Sequence, residues 1–347
     1  MAPIDKSPDV TSHLPVINTE SFSEHLRGRA IDLEAKKVLI TRFAGSQEEQ
    51  DFSVPANCSG FGRVHHFRRF QQDTWPENPL PIDPAAKAFG IEPPDSIRVQ
   101  VFQNAVCNWR CWYCFVDFSL LSADRRYSEF KSGAELIDLY QEEKDAPRVI
   151  DLSGGQPDLI PEWTWWVFTE LEKRGLHRTI YLWSDDNLSN DYIWRYLGRD
   201  QIRQLARSAS YGRVGCFKGF DSESFAFNTQ ADRGLFPRQF ELMRRLVEAD
   251  FDVYGYATFT TPTIVDLREK MRAFVDELQD IHPLFPLRTV PLLVTSYSPT
   301  EHRLDPNRVK ALALQSDAVA AWQEELETRF DDLTRQKSIT SHRVNEH

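Results

Sequence analysis

Cysteine is scarce in this chain, with five in 347 residues: Cys58, Cys107, Cys111, Cys114 and Cys216. An odd count, with three of the five close together, argues against a framework of paired disulfides. Long apolar runs are missing too. The most apolar stretches, Val290 to Val294 and Trp163 to Phe168, are far shorter than the roughly 20 residues a membrane helix needs. The start, Met1 to Val16, is polar, carries three prolines and has no apolar core of the kind that marks a secretory signal. Positive charge is in deficit, with a net charge of −11. A dedicated nucleic-acid binder needs a basic face to neutralise phosphate, so the acidic balance speaks against one. The expectation is a soluble protein of the cytoplasm, where close-set cysteines more often bind metal than form disulfides.

What is present suffices for a sizeable core, with 41% hydrophobic residues, in one large domain or two smaller ones. Residues 1–20 read as a loose tail. Residues 20–94 read as irregular apart from one strand candidate, Lys37 to Phe43. Pro76, Pro79, Pro81, Pro84, Pro93 and Pro94 oppose regular structure there and suit a segment laid along another surface. From Ser96 short apolar runs alternate with longer amphipathic ones. Strands are expected at Ser96–Phe102, Val149–Ser153, Thr179–Ser184, Gly212–Phe217, Phe251–Phe259 and Thr289–Thr295. Helices are expected at Gly133–Lys144, Pro161–Arg174, Asp191–Ser208, Pro237–Ala249, Thr263–Ile281 and Pro306–Phe330. Alternation of this kind gives βαβ units and a parallel sheet. The expected class is α/β, with an open barrel-like sheet and its chemistry at the C-terminal ends of the strands. The chain thus divides into an N-terminal extension over 1–94, a core over 95–300, and a C-terminal helix with a polar tail over 301–347.

Cys107-Asn-Trp-Arg-Cys111-Trp-Tyr-Cys114 follows the first core strand directly. The spacing is C-x3-C-x2-C. Three thiolates on one loop suit three irons of a cubane and leave the fourth iron open to a ligand, since such clusters otherwise take four cysteines. Other readings remain. A structural zinc needs four ligands, and Cys58, Cys216 or His65 would have to supply a distant fourth. A plain electron carrier would also want a fourth cysteine. Chance packing would have to set three cysteines among Trp109, Trp112 and Tyr113.

The motif, including the aromatic Tyr113 before its last cysteine, resembles that of the radical S-adenosylmethionine (SAM) superfamily. The resemblance implies a partial (β/α)6 barrel, one [4Fe–4S] cluster on Cys107, Cys111 and Cys114, and SAM bound at the open iron. The reduced cluster then cleaves SAM to a 5′-deoxyadenosyl radical that takes hydrogen from a substrate. Ser153-Gly-Gly-Gln-Pro157 resembles the family's Gly-Gly-Glu-Pro motif, which binds the SAM amino group. Gly154, Gly155 and Pro157 match, and Gln156 replaces the acid. Ser184-Asp-Asp-Asn187 falls where the family places a polar turn lining the SAM or substrate pocket; the alternative is a set of helix caps. Lys218, within Cys216-Phe-Lys-Gly-Phe220, is similar to the lysine that meets the SAM carboxylate in glycyl-radical-enzyme activating enzymes, although Cys216 stands where those often carry an acid. A reducing partner of flavodoxin or ferredoxin type is implied, and Arg110, Arg125 and Arg126 near the loop are candidates to meet it. The resemblance spans roughly Ser96 to Ser296.

Between Asn57 and Phe70, Arg63, His65, His66, Arg68 and Arg69 stand among Phe61, Phe67 and Phe70. Either this segment closes over the barrel mouth, with Arg63, His65 and Arg68 holding an anionic substrate group, or it is a solvated basic loop. The substrate is a small molecule, or a residue in a peptide or protein. The competing functions are a non-catalytic zinc or iron–sulfur protein, and a family member that binds SAM without cleaving it.

Overall fold

A computed structural model describes residues 16–344; the expected N-terminal tail falls mostly outside them. In chain order the elements are α1 Thr19–Ala30, β1 Ile31–Asp32, β2 Lys37–Thr41, β3 Gly62–Arg68, α2 Ile82–Phe89, β4 Ser96–Phe102, β5 Ser128–Ser132, α3 Gly133–Glu142, β6 Val149–Leu152, α4 Pro161–Lys173, β7 Tyr181–Asp186, α5 Tyr192–Tyr196, α6 Arg199–Ala206, β8 Tyr211–Phe217, α7 Ser222–Thr229, α8 Phe236–Glu248, β9 Val253–Thr258, α9 Leu267–Ile281, β10 Thr289–Leu292, α10 Ser298–Glu301, α11 Pro306–Ala313, α12 Gln315–Arg329 and α13 Asp332–Arg335.

Seven strands form one sheet in the order β10-β9-β8-β7-β6-β4-β3. Neighbours from β4 to β10 run parallel, and β3 joins β4 antiparallel at the edge. Parallel strands need crossover helices, so both faces are covered and the strands read as unbroken apolar runs. Every residue of β6, β8 and β9 is buried. The helices start on expected signals. Ser132 and Glu135 form a capping box on α3, Pro161 opens α4, and Asp221 caps α7. A second, antiparallel sheet pairs β1, β2 and β5.

Alternate strand residues build two cores. On the outer face Ile150, Leu152, Leu182, Phe217 and Ala257 pack against Trp163, Phe168, Phe240, Phe274 and Trp322 of the helices. On the inner face Val99, Val101, Val149, Tyr181, Trp183, Val214, Tyr254 and Val290 pack with Leu80, Ala85 and Ile339. The sheet therefore curls around an inner space whose floor is sealed by α2 and a C-terminal turn. Its two edges are joined by side chains. The Trp75 indole N–H donates to Pro291 O at 3.2 Å, and Ser298 Oγ donates to Asp51 Oδ1 at 2.8 Å.

Several expectations change. Residues 20–94 are not irregular. They supply most of α1, three strands and α2, whose Pro84 sits in the first helical turn, where a missing N–H costs nothing. The segment expected to close over the mouth is β3, an integral edge strand. Asp191–Ser208 breaks into α5 and α6 before Gly198, and Pro306–Phe330 breaks at Leu314. Helix α9 starts after Val265, which is exposed. The C-terminal tail is not loose as far as it is described. Ile339 and Val344 are buried, Ser338 Oγ donates to Asp83 at 3.0 Å, and Arg288 donates to His342 O at 2.9 Å.

Candidate active site at the barrel mouth

The three-cysteine loop leaves the C-terminal end of β4 and is held from all sides. Arg110 turns back to donate to Cys107 O at 2.6 Å and Trp109 O at 2.9 Å. Arg303 donates to Cys114 O at 2.6 Å and Val116 O at 2.9 Å. Asn228 takes both Trp112 donors, the backbone N–H at 3.2 Å and the indole N–H at 3.0 Å. Helix α1 reaches the loop through Thr19, which accepts from the Trp109 indole at 3.1 Å, and Ser23, which accepts from Asn108 at 2.9 Å. Asn187 Nδ2 points at Cys107 Sγ at 3.8 Å. Local sequence supplies the cysteines; distant residues fix their geometry.

Cys111 is buried, Cys107 and Cys114 are half-buried, and cations surround all three. Burial pushes Cys111 up to about 12 and Cys114 up to about 11, with Lys218 acting in the opposite direction on both. Burial alone would lower the Lys218 ammonium. Cys216, Tyr113, Cys111 and Cys107 around it prevail and hold it well above the usual lysine range. Lys218 thus faces the cysteine loop from the end of β8. Tyr113 OH lies 3.1 Å from Thr258 Oγ1 at the end of β9.

The other motif residues gather at the same end. Gly154 and Gly155 follow β6, and both are half-buried, as are Asp185 and Lys218. The glycines serve a close approach within the protein. A Cβ on Gly155 would meet Asn104 Oδ1 at 1.9 Å and Asn104 O at 2.4 Å; one on Gly154, whose φ is +73°, would meet Gln103 Oε1 at 2.2 Å. The Gln156 side chain is also used internally. Its Nε2 donates to Asp186 Oδ1 at 2.7 Å and its Oε1 accepts from the Asn187 N–H at 2.9 Å. Gln156 is 1% exposed, so it ties the β6 turn to the β7 turn rather than facing the mouth. Asp186 is held in turn by Arg213, which also pairs with Asp158.

The Arg63, His65 and Arg68 group separates. Strand alternation places Arg63 and His65 on the inner face, in register with Val101 and Val99, and Arg68 on the other face, exposed. Arg63 is enclosed by Phe43, Phe52 and Phe115, with Glu48 3.8 Å away. Burial, with Arg63 and His66 adding to it, lowers His65 to about 3, so it stays neutral. Arg110 is committed to the loop's own carbonyls, while Arg125 and Arg126 lie on the surface, Arg126 paired with Asp124.

No protein-family model matches the sequence, and no curated protein does. Solved structures of SuiB from Streptococcus suis match at 17% identity: bound to the precursor peptide SuiA (TM-score 0.39, 53% of this chain and 36% of that one), bound to S-adenosylmethionine (0.37, 51% and 36%), and SuiB alone (0.37, 53% and 37%). This chain thus spans little more than a third of the length of each. A likeness of that extent concerns part of a fold and assigns no activity.

The chain's own residues bear on whether a cluster fits. Among the described residues no group of three or more His, Cys, Asp and Glu side chains is gathered as ligands of one metal ion. A cubane takes each thiolate at a different iron, so it needs three thiols around one opening rather than three converging on a point. Cys107, Cys111 and Cys114 lie near enough to act on one another electrostatically, and Lys218, Arg110 and Arg303 would offset the charge of ionised thiolates. Cys216 lies beyond Lys218, among Asp185, Asp186 and Asp151.

Proposed function

We propose that this chain is a radical SAM enzyme with one [4Fe–4S] cluster on Cys107, Cys111 and Cys114. The observation that carries the reading is the three-thiol loop at the C-terminal end of the first parallel strand, faced by Lys218 from β8. When bound, such a cluster supplies the electron that splits SAM and so the 5′-deoxyadenosyl radical that removes hydrogen from a substrate. The chain's own work is binding, positioning and exclusion of water. Lys218 supplies a charge-assisted donor for the SAM carboxylate. Gly154 and Gly155 present backbone to the amino end, and Tyr113 and Asp185 wall the pocket. Gln156 positions these turns. Trp109, Trp112 and Phe115 keep water from the loop. An external electron donor of flavodoxin or ferredoxin type completes the system. The reading stops at the superfamily, because Cys216 replaces the acid of the activating-enzyme pattern.

The test is anaerobic. The protein is reconstituted with iron and sulfide, reduced, given SAM, and 5′-deoxyadenosine is quantified by mass spectrometry. Wild type is expected to make it and Cys111→Ala to lose both the cluster and the product. A colourless protein that takes zinc in place of iron and sulfide would sink the reading.

A further inference from the structure

Asp151 carries the least explained polar group of the inner barrel. It is 1% exposed. Its Oδ2 accepts from Ser153 Oγ at 2.8 Å, and its Oδ1 has no hydrogen-bond partner. It lies on the inner face of β6, in register with Val101 and Trp183. Asp185, one inward position further along β7 than Trp183, is its strongest charged neighbour. The nearby ion pairs leave both carboxyls out: Arg63 meets Glu48, and Arg213 meets Asp158 and Asp186. A further inner atom, Gln103 Oε1, has no hydrogen-bond partner either. Buried polar atoms are nearly always satisfied, so unsatisfied ones at a barrel mouth mark a place for a ligand.

The charge of that ligand follows. Once ionised, the two carboxyls repel an anion. A neutral hydroxyl would donate to Oδ1 and leave an ionised carboxyl without a countercharge. A protonated amine brings up to three donors and a positive charge, and answers both groups at once. We propose that Asp151 and Asp185 together receive a protonated amino group of the substrate. The bearer of that group lies one residue layer deeper than Gly154, between the cysteine loop and the aromatic floor. Naming it as the substrate rests on the radical SAM reading; the amine site itself does not.

The groups facing the pair are Arg63 and His65 from β3, Cys216 and Lys218 from β8, and Tyr256 from β9. Burial and Asp185 hold the Asp151 carboxyl well above its ordinary range. An arriving cation favours its ionisation, so binding releases a proton.

The probe is n-butylammonium, titrated calorimetrically into the cluster-loaded protein, with and without S-adenosylhomocysteine, against butanol and butyrate. Butylammonium is expected to bind at least about tenfold tighter than either control, the scale of a charged hydrogen bond. Heats in two buffers of different ionisation enthalpy should show proton release. Asp151→Asn should lose the preference and the proton release, while its melting temperature holds or rises because a half-satisfied buried carboxyl is gone. Asp145→Asn, at an exposed site, should bind as wild type. Binding of butanol or butyrate equal to that of the amine, an unaffected Asp151→Asn, no binding by any probe, or displacement of the amine by S-adenosylhomocysteine would each overturn the proposal. The titration needs no turnover. Amine binding by a protein that makes no 5′-deoxyadenosine keeps the site and removes the radical reading; the reverse result does the opposite.

Discussion

At the floor of the barrel Tyr181 and Trp183 lie with ring centroids 6.3 Å apart, and Trp183 and Tyr254 5.8 Å apart, on a bed of Val99, Val149, Val214 and Leu80. Further along the same strands the inward positions carry Asp151, Asp185, Cys216 and Lys218. The strands and their alternation are the same; the chemistry of the inward residue changes from sealed to unsatisfied. Stability resides in the first region, and the second gives some of it up for ligands.

That contrast can be tested directly. Trp183→Ala should be the largest effect on folding, about 3–5 kcal/mol for loss of a buried indole, read as a lower urea midpoint. The folded fraction should still load iron. Gly155→Ala reverses the pattern. Its Cβ meets the Asn104 backbone, an overpacking cost of about 1–3 kcal/mol, and the displaced turn should cut 5′-deoxyadenosine formation far more than the midpoint falls. If both variants lost stability alone, the mouth would be no more than a second core.

A smaller effect is set by pH. Burial lifts the Glu48 carboxyl from 4.5 to about 7, with Arg63 pulling it back only in part. Between those two values the folded state holds a proton that the unfolded chain has released, so this group's contribution falls as pH rises through the window. Glu48→Gln should flatten that slope in urea midpoints taken at its two ends. The smallest effect is expected of Arg68→Ala, exposed on the outer side of β3. It should change stability by no more than about 0.5 kcal/mol and leave 5′-deoxyadenosine yield unchanged. A loss of turnover there would return the basic segment to the site.

Much of the sheet was legible because buried parallel strands are short unbroken apolar runs; Ser96–Phe102 was read to the residue. Strand β3 was missed because its alternation is hidden by charge on both faces, Arg63 and His65 inward, His66 and Arg68 outward. Helix α1 was missed because its buried face is polar: Thr19, Ser23 and Arg27, the last paired with Glu162 of α4. At the mouth, cysteines and glycines announce themselves by spacing. Their supports do not: Asn228 lies 116 residues from Trp112, and Arg303 lies 189 from Cys114. Asp151 looked like one more position in a strand, and only its unpartnered Oδ1 sets it apart. Gln156 looked like a weakened ligand, yet the structure uses it as a clasp.

The seam between β3 and β10 carries a last consequence. Among the described residues no backbone ladder pairs these two strands; side chains of flanking segments, the Trp75 indole and Asp51 among them, reach across instead. A ladder fixes circumference in whole residues, because slipping it turns every side chain over. Side-chain clasps impose no such step. A change in girth would therefore cost side-chain contacts such as these, while the parallel strands could keep their register. Hydrogen exchange should therefore find the outer amides of β10 among the fastest in the sheet.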